Sequence, residues 1–452
     1  MKFISNSNDL SKFLEKSIKK NIKIKSISTD TRTLKKDSLF VAIRGNIFDG
    51  NDYVEDALKK GSCLVITDNK KFKDSKNKKV IYVNSSLLAL KKITKNIIKH
   101  YEGNIIGITG SNGKTTTTKI IANSLKSCSS TLKNFNNEIG MPLSILNANP
   151  KSKNLVIEMG AAKPKDIHYL SSILKPNVGL ITNIGNSHLE NLINTQGVLN
   201  VKSELVPNIK HNGFLVVPNE NLKHLKFWRN IRSDIHIRTF GLKSNADFYP
   251  RNIVMDSNKT EFKICSKKYN LTIPISTTLL GDHNIKNILA AFAVSYCINN
   301  TEEAFLNGIK KLLVNDMRQK KSKWIRGSLL IDDTYNANPE SVKKSIDLTK
   351  NFNSQRTVFI LGDMKELGRY RKKLHKEVGA YAKKQKVDLF IGFGDLTRFS
   401  VDAFGKNGFF FSDKEQMHEF LVNNIERKDL VILKGSRGMQ MEQFINTQRG
   451  DS

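Results

Sequence analysis

Asn104-Ile-Ile-Gly-Ile-Thr-Gly-Ser-Asn-Gly-Lys-Thr-Thr-Thr-Thr-Lys119, running into an apolar helical stretch that ends near residue 126, is the segment whose reading decides the fold. Ile105, Ile106 and Ile108 read as a short buried strand, residues 110–113 as a turn that side chains would obstruct, and Thr115 onward as a helix. Such a turn offers backbone N–H groups and a helix N-terminus to an anion. Gly110, Ser111, Asn112, Gly113, Lys114, Thr115 and Thr116 are therefore expected to cradle a nucleoside triphosphate. Lys114 would reach its outer phosphates and the Thr115 hydroxyl its magnesium.

Outward from this turn, the chain reads as strands alternating with helices. Residues 154–159, 178–183 and 214–218 are short apolar runs with turn signals between them, which argues for a parallel α/β sheet with helices on both faces. Ligands of such sheets sit at the carboxyl ends of the strands. Glu158 closes one of these runs, where a carboxylate could complete a magnesium shell with Thr115. Residues 240–278 read as short strands extending the same sheet, and 288–296 as an apolar helix.

The flanks carry modules of their own. Toward the amino end, a helix is expected over 9–19, a strand over 23–28, a loop over 70–79 and a helix over 87–100. Ser28-Thr29-Asp30-Thr31-Arg32 combines acceptor, hydroxyl and guanidinium groups that suit a ribose and a diphosphate. Beyond Arg318, apolar runs at 328–332, 357–362, 387–392 and 429–434 alternate with helical stretches, indicating a Rossmann-like domain that lacks the Gly-x-Gly-x-x-Gly fingerprint. The expected division is 1–84, a helix at 85–101, 102–316 and 317–452.

Composition narrows the class. The 452 residues are 39% hydrophobic and 26% charged, as in ordinary globular protein. No stretch is long and apolar enough to span a bilayer and the first twenty residues lack a signal-peptide core, so a cytoplasmic enzyme without stable membrane association is expected. Cys63, Cys128, Cys265 and Cys297 are far apart and lack metal-site spacing, which reads as reduced, mostly buried thiols. Seventy-four basic residues against 42 acidic give +32, a balance that raises a nucleic-acid-binding P-loop ATPase as one reading. The lysines are spread along the whole chain without interleaved aromatics, which favours solvated faces and an anionic substrate over nucleic acid.

The generic phosphate-loop pattern places four residues between its first glycine and the Gly-Lys pair; Gly107 to Gly113 encloses five. The narrower string Thr109-Gly-Ser-Asn-Gly-Lys-Thr115 fits, and it resembles the Mur ligase and folylpolyglutamate synthase superfamily of ATP-dependent amide-forming enzymes. So do Asn136-Asn-Glu-Ile-Gly-Met-Pro142 and Gly281-Asp-His-Asn-Ile-Lys-Asn287. The order of segments from 28 to 53 is similar to the UDP-binding domain of the same ligases, with Asn51 where many relatives carry histidine. Asp332-Asp-Thr-Tyr-Asn-Ala-Asn-Pro-Glu-Ser341, Gly362-Asp-Met-Lys-Glu-Leu-Gly368 and Lys434-Gly-Ser-Arg-Gly-Met-Gln-Met-Glu442 resemble the members that add a terminal dipeptide. The Asp-Tyr-Ala-His and Asp-Asn-Pro-Arg strings of the tripeptide-forming members are missing.

What the resemblance implies is a three-domain Mur ligase architecture, with a central P-loop ATPase domain and a C-terminal Rossmann-like domain, working in peptidoglycan precursor synthesis. It implies a ligase joining D-alanyl-D-alanine to UDP-N-acetylmuramoyl-tripeptide through an acyl phosphate, as a monomer; a sister ligase adding a different amine is the alternative. Asn287 would meet adenine, Asp333 the ATP ribose and Arg318 its phosphates. Thr115 and Glu158 would hold one magnesium, His188 and a carbamylated Lys202 a second, with Lys114, His188 and Lys202 the catalytic set. Ser28, Asp30, Thr31 and Arg32 would hold the UDP part, Asn136 and Asn137 the muramoyl peptide, and Asn336, Asn338, Lys434 and Arg437 the remaining substrate groups. Ligands on three domains imply closure about a hinge near residue 316 from an open form. Whether the third residue of the acceptor peptide is lysine or diaminopimelate stays open.

Overall fold

The structure, a computed structural model, describes residues 2–18, 21–45, 48–312 and 317–446. The strand Asn104–Thr109 sits inside a six-stranded, all-parallel sheet whose order is His236–Phe240, Phe214–Pro218, Val178–Ile181, Asn104–Thr109, Asn154–Glu158, Cys128–Ser130. The chain leaves this central strand to build on both sides of it, so a crevice opens at its carboxyl end. The register fixes what faces the crevice. Ile108 pairs with Glu158 and Thr109 with Ile181, so Gly110, Glu158 and Thr182 arrive at one level.

The amino-terminal sheet has four parallel strands in sequential order, Ser26–Ser28, Ser38–Val41, Leu64–Thr67 and Val80–Tyr82. The helix expected over 9–19 runs instead from Ser7 to Leu14. The Asn6 side chain accepts from the N–H groups of Asn8 and Asp9 at its start, and Glu15 ends it with a φ of 55°. The helix Ser86–Lys99 is capped by the Ser85 hydroxyl and buries Ala89, Leu90, Ile93 and Ile97. It packs on Ser7–Leu14 and also on Gly140–Leu146 and Asp166–Leu174, so the segment joining two modules lies in the core of both.

Residues 240–278 do not extend the parallel sheet. Tyr249–Met255, Thr260–Ser266 and Leu271–Thr277 form a separate antiparallel sheet, linked to the first through a bridge between Phe240 and Phe248. The segments are linked by short turns, which antiparallel strands accept and parallel crossovers do not. Helix Asp282–Cys297 packs its apolar length between the two sheets.

The third domain is a six-stranded sheet ordered Lys320–Lys323, Leu329–Asp333, Asp429–Lys434, Arg356–Gly362, Leu389–Phe393, Gly408–Phe411, with only the first strand antiparallel. Lys320–Lys323 and Cys128–Ser130 are edge strands with no apolar alternation, which is why the sequence pattern does not reveal them. The hinge expected near residue 316 lies outside the described residues. Among those described, no helix is long and apolar enough to cross a membrane.

Candidate active site at the phosphate turn

Gly110 and Gly113 have φ values of 143° and 79°. A Cβ on Gly110 would stand 1.9 Å from Thr182 Oγ1, and one on Gly113 would stand 2.3 Å from Asn287 Oδ1. Both conformation and space exclude a side chain, and the turn is pressed on the neighbouring strand end and on the helix that carries Asn287. Helix Lys114–Ser124 then starts with no side-chain cap, leaving its first N–H groups directed at the crevice.

The turn is held from the side by residues that the sequence reading did not single out. Asn112 N–H donates to Asn183 Oδ1 at 3.0 Å, while Thr182 Oγ1 and Asn183 Nδ2 donate to Asn112 O at 2.6 and 2.9 Å. Ser111 Oγ donates to Gly185 O at 3.1 Å and accepts from Gly185 N–H at 3.0 Å. These partners are in the loop after Val178–Ile181, and adjacency in the sheet, absent from any local pattern, is what brings them there.

Lys114 Nζ donates to Gly110 O at 2.7 Å and Ser111 O at 3.3 Å, curled over its own turn. Burial lowers its pKa from the ordinary lysine value, the Arg318 cation adds to the effect, and Glu158 opposes it. Thr115 Oγ1 donates to Glu158 Oε2 at 2.9 Å and accepts from Arg318 Nη2 at 3.1 Å. Asn136 Nδ2 donates to the other carboxylate oxygen at 2.8 Å, and Arg318 stacks 3.9 Å above the Tyr335 ring. The buried Glu158 charge thus acts on Lys114 through space, and Arg318 reaches Glu158 only through the Thr115 hydroxyl.

Third-domain residues close the crevice from above. Asn338 caps helix Pro339–Asp347 and its Nδ2 donates to Asn112 Oδ1 at 2.7 Å. Asn186 N–H donates to Glu340 Oε1 at 3.1 Å, and His188 Nδ1 lies 2.7 Å from Glu366 Oε2 without the alignment of a hydrogen bond. The second and third domains are thus in contact across the crevice. Asp333 pairs with Lys434 on the adjacent strand end, Nζ to Oδ2 2.6 Å, and also accepts from Ser345 Oγ.

A cavity of about 1660 Å³ connects these groups. Its wall includes Ser111, Asn112, Gly113, Lys114, Thr115, Thr116, Asn136, Asn137, Glu158, His188, Asn287, Arg318, Asp333, Asn336, Asn338 and Lys434. The sequence-expected residues that do not line it are Ser28, Asp30, Thr31, Arg32, Gly110, Lys202 and Arg437. Arg437 faces Glu442, and Lys434 is taken up by Asp333 and the Asn336 carbonyl, so neither presents a free cation to the cavity. Arg32 forms a two-point pair with Asp30, exposed on the amino-terminal domain. Asn51 is buried and holds Asp49, Asp68 and Thr67, which makes it a structural residue here.

Lys202 falls in the last turn of helix Thr195–Ser203. Its amine is fully buried with no hydrogen-bond partner. Burial, reinforced by the Lys114 charge, pushes its pKa down to about 7, with Asp166 and Glu204 opposing. His283 is held near 3 by burial and by Lys344, Lys434 and Lys286; its Nε2 receives the Gln319 amide at 3.0 Å, as a neutral imidazole can.

A phosphate turn covered by a second α/β domain and preceded by a module with a four-stranded parallel sheet is the arrangement of ligases that spend ATP on a carboxyl group. Residues 23–101 match the Mur ligase family catalytic domain, 108–295 the Mur ligase middle domain and 317–437 the Mur ligase glutamate ligase domain. The chain is 32% identical over 432 residues to the UDP-N-acetylmuramoyl-tripeptide--D-alanyl-D-alanine ligase of Bacillus subtilis, covering 93% of this chain and 92% of that one. The solved MurF of Acinetobacter baumannii superimposes with a TM-score of 0.87 at 24% identity, covering 97% of each chain. The MurF ligase of Thermotoga maritima, solved in complex with ADP, gives 0.81 at 26% identity over 93% of this chain and 96% of that one. The chain belongs to the Mur ligase family.

Proposed function

We propose that this chain joins D-alanyl-D-alanine to UDP-N-acetylmuramoyl-tripeptide at the expense of ATP, in the cytoplasm, as a monomer and without nucleic acid. The observation that carries the reading is likeness to ligases of that name along nearly the whole chain, with third-domain residues of the Asp332–Ser341 string seated over the phosphate turn. A carboxylate oxygen of the tripeptide bonds to the γ-phosphorus as the bond to the ADP oxygen breaks. The dipeptide amine then bonds to the acyl carbon, inorganic phosphate leaves, and the nitrogen gives up a proton.

The first step brings two anions together, so its barrier falls with the positive charge placed around them. Lys114 and Arg318 supply that charge, and the buried Glu158 with the Thr115 hydroxyl fixes its position. Magnesium, when bound, neutralises phosphate charge. One hydroxyl and one carboxylate suit an ion that takes its remaining ligands from phosphates and water, so Thr115 and Glu158 would hold it. Among the described residues no three His, Cys, Asp or Glu side chains converge to form a metal site by themselves.

The second metal position depends on Lys202. As an ammonium it repels a cation; as a neutral amine it can attack carbon dioxide, giving a carbamate anion and a released proton. Its orphaned, buried amine with a pKa near 7 favours that modification, and the Lys114 charge would stabilise the product. His188 would be its companion after leaving Glu366.

The test is phosphate release with ATP, magnesium, UDP-muramoyl-tripeptide and either D-alanyl-D-alanine or single amino acids. Phosphate that appears only with the dipeptide supports the assignment. Turnover with a single amino acid makes the chain a sister ligase, and no release under any combination rejects the ligase reading.

A further inference from the structure

Arg318 enters the site from the start of the third domain, and the backbone is bent on both sides of it. Met317 has a φ of 61° and Gln319 a φ of 58°. Both are long side chains in the left-handed region, a conformation that persists where the surrounding contacts over-determine it. Tyr335 N–H donates to Met317 O at 3.0 Å, and strand Lys320–Lys323 begins immediately after Gln319.

The Gln319 side chain supplies a further hold. Its Nε2 donates to His283 Nε2 at 3.0 Å, and its Oε1 accepts from Asn284 Nδ2 at 3.4 Å. These partners are neighbours on helix Asp282–Cys297, so an amide of the third domain grips the central one. The partners are themselves fixed. Asn284 Nδ2 also donates to Leu280 O at 2.8 Å, and Asn284 Oδ1 accepts from Asn287 Nδ2 at 3.1 Å. His283, kept neutral by burial beside Lys344, Lys434 and Lys286, offers a lone pair on Nε2 to the amide.

The contacts form a closed circuit. From Gly113 it runs through Asn287 and Asn284 to Gln319, across one peptide bond to Arg318, and from Arg318 Nη2 back to Thr115 Oγ1 at 3.1 Å. Tyr335 stacks on the guanidinium, but it belongs to the same domain and cannot set Arg318 against the central one. Both polar atoms of the Gln319 amide are engaged by protein groups, so this side chain serves the circuit.

Resting on the function proposed above, in which Arg318 meets the phosphate being transferred, we infer that Gln319 is a positioning residue for Arg318. Its amide fixes the left-handed turn against helix Asp282–Cys297, which aims the guanidinium at the phosphate turn before the substrates arrive. A cation already in place needs no reorganisation as charge develops; one on a loose turn does.

The experiment is a double-mutant cycle. Phosphate release with ATP, magnesium, UDP-tripeptide and D-alanyl-D-alanine is measured for the wild type, Gln319→Ala, Arg318→Ala and the double variant, and ATP affinity is measured on the same chains by titration calorimetry. Gln319→Glu, which keeps the shape and the acceptor but loses the donor to His283, repeats the Gln319 arm in both backgrounds. Each Gln319 variant is expected to lower kcat roughly tenfold and weaken ATP binding about threefold, with the KM for the UDP-tripeptide unchanged. In the Arg318→Ala background the same substitutions should move neither quantity by more than about twofold, because the group they position is gone. Equal losses in both backgrounds, or unchanged kcat and ATP affinity in the single variants, overturn the inference while leaving the ligase assignment standing. A wild type that releases no phosphate overturns the ligase assignment, and the ATP affinities then decide the inference by the same comparison of backgrounds.

Discussion

The phosphate turn and the 28–32 turn carry similar side chains, hydroxyls and acceptors around one strong cation, and they are built in opposite ways. At residues 110–115 almost every polar group is held by a residue distant in sequence: Asn112 by Asn183 and Asn338, Thr115 by Glu158 and Arg318. At residues 28–32 the bonds are local, with Arg32 paired to Asp30 and Ser28 to the Asp30 backbone, and the arginine side chain is 85% exposed. A site that stabilises developing charge needs donors fixed before reaction, whereas a site that only holds a substrate can organise on binding. On the proposed function, chemistry and anchoring would be separated by rigidity as well as by domain.

Lys114→Ala gives the strongest test of the rigid half. Phosphate release should fall by roughly a thousandfold or more with an unchanged circular dichroism spectrum. Near-normal turnover would mean that the turn is not where charge is stabilised. Lys202→Ala should cost about a hundredfold, with partial recovery on adding short carboxylic acids. Recovery restores the missing anion; if depleting carbon dioxide leaves the wild type unaffected and no acid rescues the variant, the carbamate is excluded.

Arg32→Ala probes the open half. A rise of about tenfold in the KM for the UDP-tripeptide, with little change in kcat or in the KM for ATP, is expected of an anchoring residue. A fall in kcat of similar size would erase the distinction between the two sites. The smallest effect concerns acid stability. His283 has its pKa held near 3 against an ordinary 6.5, so both folded and unfolded chains are neutral there above 6.5. Between 6.5 and 3 only the unfolded chain takes up the proton, and stability falls as pH falls. Urea unfolding between pH 7 and 4.5 should show a shallower loss for His283→Gln, by on the order of 2 kcal/mol; parallel curves would mean that the imidazole is not the buried, neutral group described here.

Much of the rigid site was legible in the chain because a glycine turn between an apolar strand and a helix has few other meanings. Glu158 was legible for a related reason, since the last residue of a parallel strand must face the crevice. Glu340, Gln319 and the Thr182–Gly185 loop were not, because their place depends on which strand lies beside which and on how two domains meet. Lys434 shows the limit from the other side. The resemblance made Lys434 a substrate-binding residue, and only register with Asp333 revealed that its charge is paired within the domain.

The sequence by itself determined three α/β modules, the phosphate turn and the family, because periodicity, glycine placement and short motifs are local properties of the chain. Tertiary structure alone decided that the modules meet over that turn and that Lys202 is buried with its amine unpaired. The physical reason is that burial, register and the sharing of charge between domains depend on distances in space, which spacing along a chain does not fix.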